Sequence, residues 1–423
     1  MTNWEFSLDC AKKLDQNDEL KSFRELFYLP TFTQSDVVYF TGNSLGLQPK
    51  SVQSFIKKEL DDWAKFGVEG HVLASNPWMP YHELFTEKIA TIVGAKTNEV
   101  AVTHSLTTNL HLLMVSFYRP NGKRKKIICE KKAFPSDQYA LQSQVQFHNL
   151  DPKECIVEIG PREGEYLIRN EDIISKIEEL GEELSMIMIG GVNYFTGQIF
   201  DMKSITEAGH KQGAKVGFDL AHAAGNINLK LNEWGIDFAA WCSYKYLNSG
   251  PGGVSGYYIN EKHVINPDIP RFAGWWGHNK EDRFKMPDQF SPIPTAESWQ
   301  LSNAPVISMA AHLASLEIFE KAGMDRLRTK SISLTNYLEF IVNEISKKNN
   351  HCLEIITPKD NNQRGCQLSI VAHGSNKVLF DQLSKNGVVA DWREPNVIRI
   401  APVPLYNNYE DVYKFGEILK KIL

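Results

Sequence analysis

Between Val216 and Gly256 the chain reads VGFDLAHAAGNINLKLNEWGIDFAAWCSYKYLNSGPGGVSG, and Asp219, His222 and Lys245 within it are side chains that could do chemistry together. The apolar run VGFD ends in the acid, and the histidine follows three residues later. A second apolar run, DFAAWCS, leads to the lysine just ahead of a glycine-rich turn. If both runs are strands of an α/β sheet, their carboxyl ends form the ligand crevice and the three side chains share one site. A lysine amine placed there can form a Schiff base with an aldehyde. The aldehyde cofactor that also calls for a carboxylate is pyridoxal 5′-phosphate (PLP), because the acid keeps the pyridine nitrogen protonated and makes the ring an electron sink. A lone lysine after a strand is ordinarily structural; the combination favours the cofactor.

Such a site must also seat a phosphate and flank a ring. The segment THSLTTN, Thr103 to Asn109, lies between a strand pattern and a helix pattern. Free backbone N–H groups, hydroxyls and the positive end of a helix meet there. It reads equally well as an ordinary Ser/Thr N-cap. Further on, Phe134 could stack on a pyridine face and Asp137 could accept from its polar edge, although FPSD is also a plain helix start with proline near its first turn. In DWREPNVIRIAPVPLYN, Arg393 and Arg399 flank a short strand. A guanidinium grips an α-carboxylate bidentately, so either is a candidate anchor for an amino acid; a surface or ion-pair role is open as well. NSGPGGVSG lacks the G-K-[ST] of a nucleotide loop and reads as a tight turn.

The elements that must position these groups follow a βαβ rhythm from about residue 98. Short apolar runs (AVTHS, KKIICE, CIVEIG, SMIMIGG, KVGFD, DFAAWC, GVSGYYI) alternate with amphipathic stretches. That implies a mostly parallel central sheet covered by helices on both faces. After about residue 304 long helical patterns and then short strands suggest a smaller α+β domain. We divide the chain into an irregular N-terminal segment, 1–50, packing on the small domain, a large domain, 51–303, and a small domain, 304–423.

Composition sets the outer limits. With 423 residues, about two domains are expected. A content of 42% hydrophobic and 23% charged residues is that of a folded globular chain. The net charge of −5 gives no electrostatic reason for a nucleic-acid or anionic-membrane partner. Six cysteines without C-x-x-C pairing suggest neither a metal site nor a disulfide framework. No run of ~18 apolar residues and no secretory leader is evident, so a cytoplasmic location is expected.

The segments YFTGNSLGLQPK, SLTTNLHLLMVSF, FPSDQYA, GFDLAHAAGN, AAWCSYKYLNSGPGG, GWWGH, LSN and VIRIAPVPLYN, in this order over about residues 39–415, resemble the kynureninase family. These are PLP-dependent hydrolases of the transferase-like fold type I, shared with aspartate aminotransferase. The resemblance implies a homodimer with active sites at the subunit interface. It implies hydrolysis of L-kynurenine to anthranilate and L-alanine, or of 3-hydroxykynurenine to 3-hydroxyanthranilate, in tryptophan degradation and NAD biosynthesis. By position it implies that Lys245 is the Schiff-base lysine and Tyr244 a phosphate contact and proton donor. Asp219 becomes the pyridine-nitrogen partner and His222 a neighbour of the cofactor. Leu106 and Thr107 fall on the phosphate turn, and Phe134, Pro135, Ser136 and Asp137 on the ring-stacking segment. Trp275 and Asn303 match cofactor or substrate contacts that approach from the partner subunit. Ser44 and His71 match substrate contacts, and Arg399 the carboxylate anchor. Gly190 falls where some members carry a hydroxyl near the phosphate, and Trp276 stands where others have Phe. Two rival functions are a cysteine desulfurase-like lyase, which would need a cysteine on a mobile loop by the site, and a non-catalytic scaffold, which should have lost Lys245, Asp219 or Arg399.

Overall fold

The computed structural model describes residues 4–31, 37–350 and 352–423. After a short strand β1 (Val38–Tyr39), the chain lays down seven strands: β2 (Val100–Val102), β3 (Lys126–Glu130), β4 (Ile156–Ile159), β5 (Leu184–Gly190), β6 (Lys215–Asp219), β7 (Phe238–Trp241) and β8 (Gly256–Ile259). They form one sheet in the order β2-β8-β7-β6-β5-β3-β4. All neighbours are parallel except β8, which runs against both β2 and β7. The sheet is buried on both faces, and side-chain alternation decides which residue meets which core. On β5, Ile187 and Ile189 join one apolar cluster while Met186 and Met188 join the other.

Between β3 and β5 the connections diverge: β3 leads outward to β4, whereas β5 leads on to β6. A crevice must open at the carboxyl ends of neighbouring strands whose connections part in this way. Glu130, Gly190 and Asp219 are the last residues of β3, β5 and β6, and therefore stand at its edge.

A second sheet is built from β9 (Leu353–Ile355), β10 (Leu368–Ala372), β12 (Asp391–Arg393) and β13 (Val397–Ile400), in the order β12-β13-β10-β9 and antiparallel throughout; β11 (Val388–Val389) instead pairs in parallel with β1. Period-two alternation again sorts its residues. Ile398 and Ile400 enter a core shared with the helices Met324–Lys348 and Tyr409–Ile422. Val397 and Arg399 face the other way, where Val397 packs with Phe195 from beyond β5 and Arg399 bonds Tyr194.

Two expectations about the chain's division need correcting. A change of core does not occur at 304: the helix Val306–Ala322 buries Met309, Leu313, Leu316 and Phe319 in the large-sheet cluster, and the second core begins only beyond Gly323. Nor does segment 1–50 rest on the small unit alone. Ala11, Val38 and Phe40 join the small core, but Leu20, Phe27 and Leu47 join the large one. The segment also includes a regular helix, Leu8–Gln16, whose N-cap Ser7 accepts from the Cys10 N–H at 3.2 Å.

Candidate active site

A cavity of about 310 Å³ lies at the strand ends described above. It gathers Ser44, Leu106, Thr107, Phe134, Ser136, Asp137, Asp219, His222, Tyr244, Lys245 and Arg399, which the sequence had scattered over more than 350 residues.

Lys245 follows β7 by a short loop that glycines and a left-handed Asn248 turn back toward β8. The loop is pinned from the N-terminal segment, where the Gly46 N–H donates to the Tyr244 carbonyl at 2.8 Å. A Cβ on Gly46 would sit 2.3 Å from the Lys245 carbonyl oxygen, so only glycine allows this approach. Lys245 Nζ lies 3.0 Å from His222 Nε2 and 5.9 Å from the centroid of the Phe134 ring. Burial and the Lys245 charge hold His222 well below the usual imidazole range, so the ring is neutral and faces the lysine amine without repelling it. Burial also pushes the Tyr244 phenol up, so the group stays protonated.

Opposite the lysine stands a group of acids. Asp219 accepts from the Ala221 N–H at 2.7 Å, a turn that fixes the side chain at the end of β6. Burial raises both Asp219 and Asp137, and Asp137 rises further because it bonds to Asp219 and faces its charge. Glu130 closes the group: its carboxylate accepts from the Gly190 N–H at 2.8 Å and from Asn193 at 3.3 Å, and burial raises it to about 7. Gly190 pairs with Asp219 in the sheet register, so its immediate neighbours are acids.

The helix Leu106–Phe117 opens on the cavity, and Ser105 at its N-cap makes no side-chain cap bond. The first-turn N–H groups, including those of Leu106 and Thr107, have no intrahelical acceptor and carry the positive end of the helix dipole. Phe134 is the N-cap of the helix Pro135–Phe147; its ring stands edge-on to Tyr194 at 5.4 Å, and the residue is 40% exposed and lines the cavity.

Arg399 is 1% exposed. Its Nη1 donates to the Tyr194 carbonyl at 2.6 Å and Nη2 pairs with Asp391, directly across the β12–β13 ladder. Its Nε–H is buried without a partner. Arg393 is on the same face, shares Asp391 at 3.2 Å and lines the same cavity, so both candidate arginines stand at the site.

Four expected residues are not in this cavity. Pro135 lines an adjoining one. His71 is turned to its own helix, with Nδ1 2.9 Å from the Val68 carbonyl oxygen and Trp78 edge-on at 5.5 Å. Trp275 is 43% exposed and bonds Arg283, and Asn303 is exposed. Conversely Glu130, Tyr194 and Asn43 line the cavity without having been singled out. Glu130 was open to the same rule that found Asp219, an acid ending a strand in the crevice; Tyr194 contributes a carbonyl oxygen to Arg399 and left no sequence signal.

These residues fit PLP. A phosphate meets unpartnered N–H groups, a ring meets Phe134, and Asp219, whose hydrogen-bond partners are Ala221 and Asp137, has no cation in direct contact among the described residues, although the Lys245 charge acts on it at longer range. A protonated pyridine nitrogen supplies that cation. Without it, the acids make stability fall with pH. A carboxyl whose folded pKa is raised binds its proton more tightly in the native state, so its contribution is complete below its ordinary value of 4.5 and is lost as pH rises through about 7. The cofactor-free protein should therefore melt several degrees lower at pH 8 than at pH 5, and Glu130→Gln should flatten that slope. An unchanged slope in thermal melts would remove Glu130 from this account.

Residues 327–419 match a family model described as the kynureninase C-terminal domain. A kynureninase of Flavobacterium psychrophilum is 59% identical over 415 residues, which is 98% of this chain and 98% of its own. The Mus musculus kynureninase is 46% identical over 98% of this chain and 92% of its own. Among solved structures, the cysteine desulfurase CsdA of Escherichia coli aligns with a TM-score of 0.75 over 95% of this chain and 98% of its own at 16% identity, a likeness of fold alone. The fold is type I of the PLP-dependent enzymes.

Proposed function

The chain belongs to the kynureninase family, and from that premise we propose that the cavity at Lys245 cleaves the Cβ–Cγ bond of L-kynurenine to give anthranilate and L-alanine, and likewise the 3-hydroxy substrate. It is an enzyme of that kind, a PLP-dependent hydrolase of a carbon–carbon bond. The observation that carries the residue assignment is one lysine amine facing a neutral histidine and an aromatic ring, with its charge also acting on Asp219 without a direct ion pair.

When bound, PLP supplies an electron-withdrawing ring conjugated to the substrate's amine. Leu106 and Thr107 hold its phosphate through the open helix end, with Tyr244 beside them. Phe134 packs on the ring, Pro135 and Ser136 start the helix that carries Asp137 to its polar edge, and Asp219 stands at its nitrogen. His222 keeps the Lys245 amine in place. Lys245 carries the covalent link and, once freed by substrate, takes the proton from Cα as general base. Water would add to the aryl ketone carbon as the Cβ–Cγ bond breaks, leaving the electron pair on Cβ. Tyr244 would donate its proton to Cβ and be reprotonated by the proton released from that water, and Lys245 would return the proton it took to Cα before alanine leaves. Arg399 holds the α-carboxylate, and Ser44 offers a polar contact from the opposite wall.

Asp391 sets the angle of Arg399, so Asp391→Asn should loosen the anchor. We expect KM to rise roughly 5- to 30-fold, as for loss of a ~1–2 kcal/mol charged hydrogen bond, with kcat little changed. Equal loss in kcat would assign Asp391 another role.

The assembly proposed is a homodimer in which a second copy brings His71, Trp275 and Asn303 toward the cavity. The support is an exposed apolar face around those residues: Trp63, Val68, Val72 and Leu73 near His71, and Phe272 and Phe284 near Trp275. The mass in solution should be that of two chains by light scattering; a monomer with full activity would refute it. No described helix is long and apolar enough to cross a membrane, and a cytoplasmic location completes the reading.

Initial rates on kynurenine and 3-hydroxykynurenine, followed by the fluorescence of the aromatic acid released, test the reading. Sulfide release from cysteine would instead favour the desulfurase alternative. Among the described residues no cysteine lines the cavity, which speaks against that chemistry.

A further inference from the structure

Beside the active-site cavity lies a larger one of about 600 Å³ that the proposed reaction does not use. Phe134, Tyr194 and Arg393 line both, so one thin aromatic wall separates them. Beyond that wall the lining is flat and apolar through Tyr166, Phe195 and Trp392, and cationic through Lys131 and Lys132. Of its two acids, one is neutralised by an ion pair and the other keeps its charge beside a neutral donor of the same lining. Glu165 is held by Arg169, with Nε 2.9 Å from Oε2, and Glu394 accepts from the Trp392 indole N–H at 2.9 Å. Lys131 and Lys132 are exposed and have no ion pair among the described contacts, while the buried Arg393 Nε–H lacks a partner. The charge left over is therefore positive, set around planar walls.

Flat walls favour an aromatic ring, and cations at the rim favour a carboxylate on it. A substrate amino acid would bring an ammonium group, which the excess of Lys131 and Lys132 over Glu394 disfavours. We propose that this cavity is a second binding site, taking a small aromatic carboxylate of the aminobenzoate class, and that it receives the aromatic product as it leaves the active-site cavity. The proposal rests on the function given above for the identity of that product. In the active-site cavity the departing anion faces the acids around Asp219 and competes with the amino-acid carboxylate for Arg399, whereas Lys131 and Lys132 beyond the wall attract it without that competition.

The test is equilibrium dialysis of anthranilate against the holoenzyme, with Lys131→Glu and Tyr166→Ala compared to the parent. Both side chains are exposed and outside the catalytic machinery, so kcat/KM is expected to stay within about twofold. Two anthranilate sites per chain are expected in the parent. In each variant one of them should weaken roughly fivefold or more, as for loss of one ring or charge contact, while the other is unchanged. A single site per chain, or two sites that neither variant weakens, would overturn the proposal. Because dialysis measures binding without turnover, failure of the reaction itself would show separately, as absence of aromatic acid from kynurenine.

Discussion

Lys245→Ala is expected to lower kcat by roughly 10³- to 10⁴-fold and to remove the visible absorption band that borohydride would otherwise reduce and fix to the chain. The loss combines two contributions from one amine. It supplies the covalent attachment, and after substrate displaces it, the base that takes the Cα proton, an effect of about 10²- to 10⁴-fold by itself. No other described side chain in the cavity can replace it at that position. His222 is the nearest base, 3.0 Å from Nζ, but burial lowers its proton affinity so far that it serves poorly. The arginines stay protonated and the acids are across the cavity. The fold should be little affected, because the loop is held through the Tyr244 carbonyl and the Asn248 N–H to Lys245 carbonyl bond at 3.1 Å, neither of which uses the side chain. A thermal melt within a few degrees of the parent, together with loss of the band, is the expected pair of results. A variant that keeps the reducible band would place the attachment elsewhere. Added primary amines provide a finer reading, since an external base should restore part of the proton transfer but none of the fixed attachment.

How much of this was legible in the sequence depends on what kind of signal each feature leaves. The strands β3, β5, β6 and β7 were readable because both faces of a parallel sheet are buried and their apolar runs are continuous. Asp219 and Lys245 were readable because a charged residue interrupts such a run where the strand ends. The cradle at Leu106 and Thr107 was legible only as one of two meanings, since an N-cap and a phosphate seat share the same residues. Arg393 and Arg399 could not be separated, because what places both at the cavity is the β12–β13 register, a pairing between chain segments. The boundary at 304 was misplaced for a related reason: Val306–Ala322 is apolar nearly all round, and a helix pattern does not say which of two cores will bury it. His71, Trp275 and Asn303 came from the family resemblance, and one chain alone does not bring them to Lys245.

Arg399→Ala should lower kcat/KM roughly 30- to 1,000-fold, corresponding to ~2–4 kcal/mol for a desolvated charge-assisted contact, with the larger part in KM. The reasoning starts from the bonds the guanidinium already makes. Nη1 is committed to the Tyr194 carbonyl and Nη2 to Asp391, so the group is fixed in orientation before substrate arrives. Its Nε–H is buried with no partner, a cost that a bound carboxylate would relieve. Pre-ordering of this kind is why Lys is a poor substitute: a point charge on a flexible stem cannot satisfy the carbonyl, the aspartate and the substrate from one position. Arg399→Lys should therefore recover little of the loss. The alanine variant has a structural side effect, because Asp391 would keep only Arg393, at 3.2 Å. Pairing Arg399→Ala with Asp391→Asn removes that stranded charge, and the double variant should regain stability without regaining affinity. The decisive comparison uses a ligand rather than a substrate. The amine analogue of kynurenine that lacks the α-carboxylate should bind the parent and Arg399→Ala with similar inhibition constants, whereas kynurenine distinguishes them by more than tenfold. Equal discrimination against both molecules would mean that Arg399 organises the cavity wall and that the carboxylate is held by another residue, for which Arg393 is the one cation left on that face.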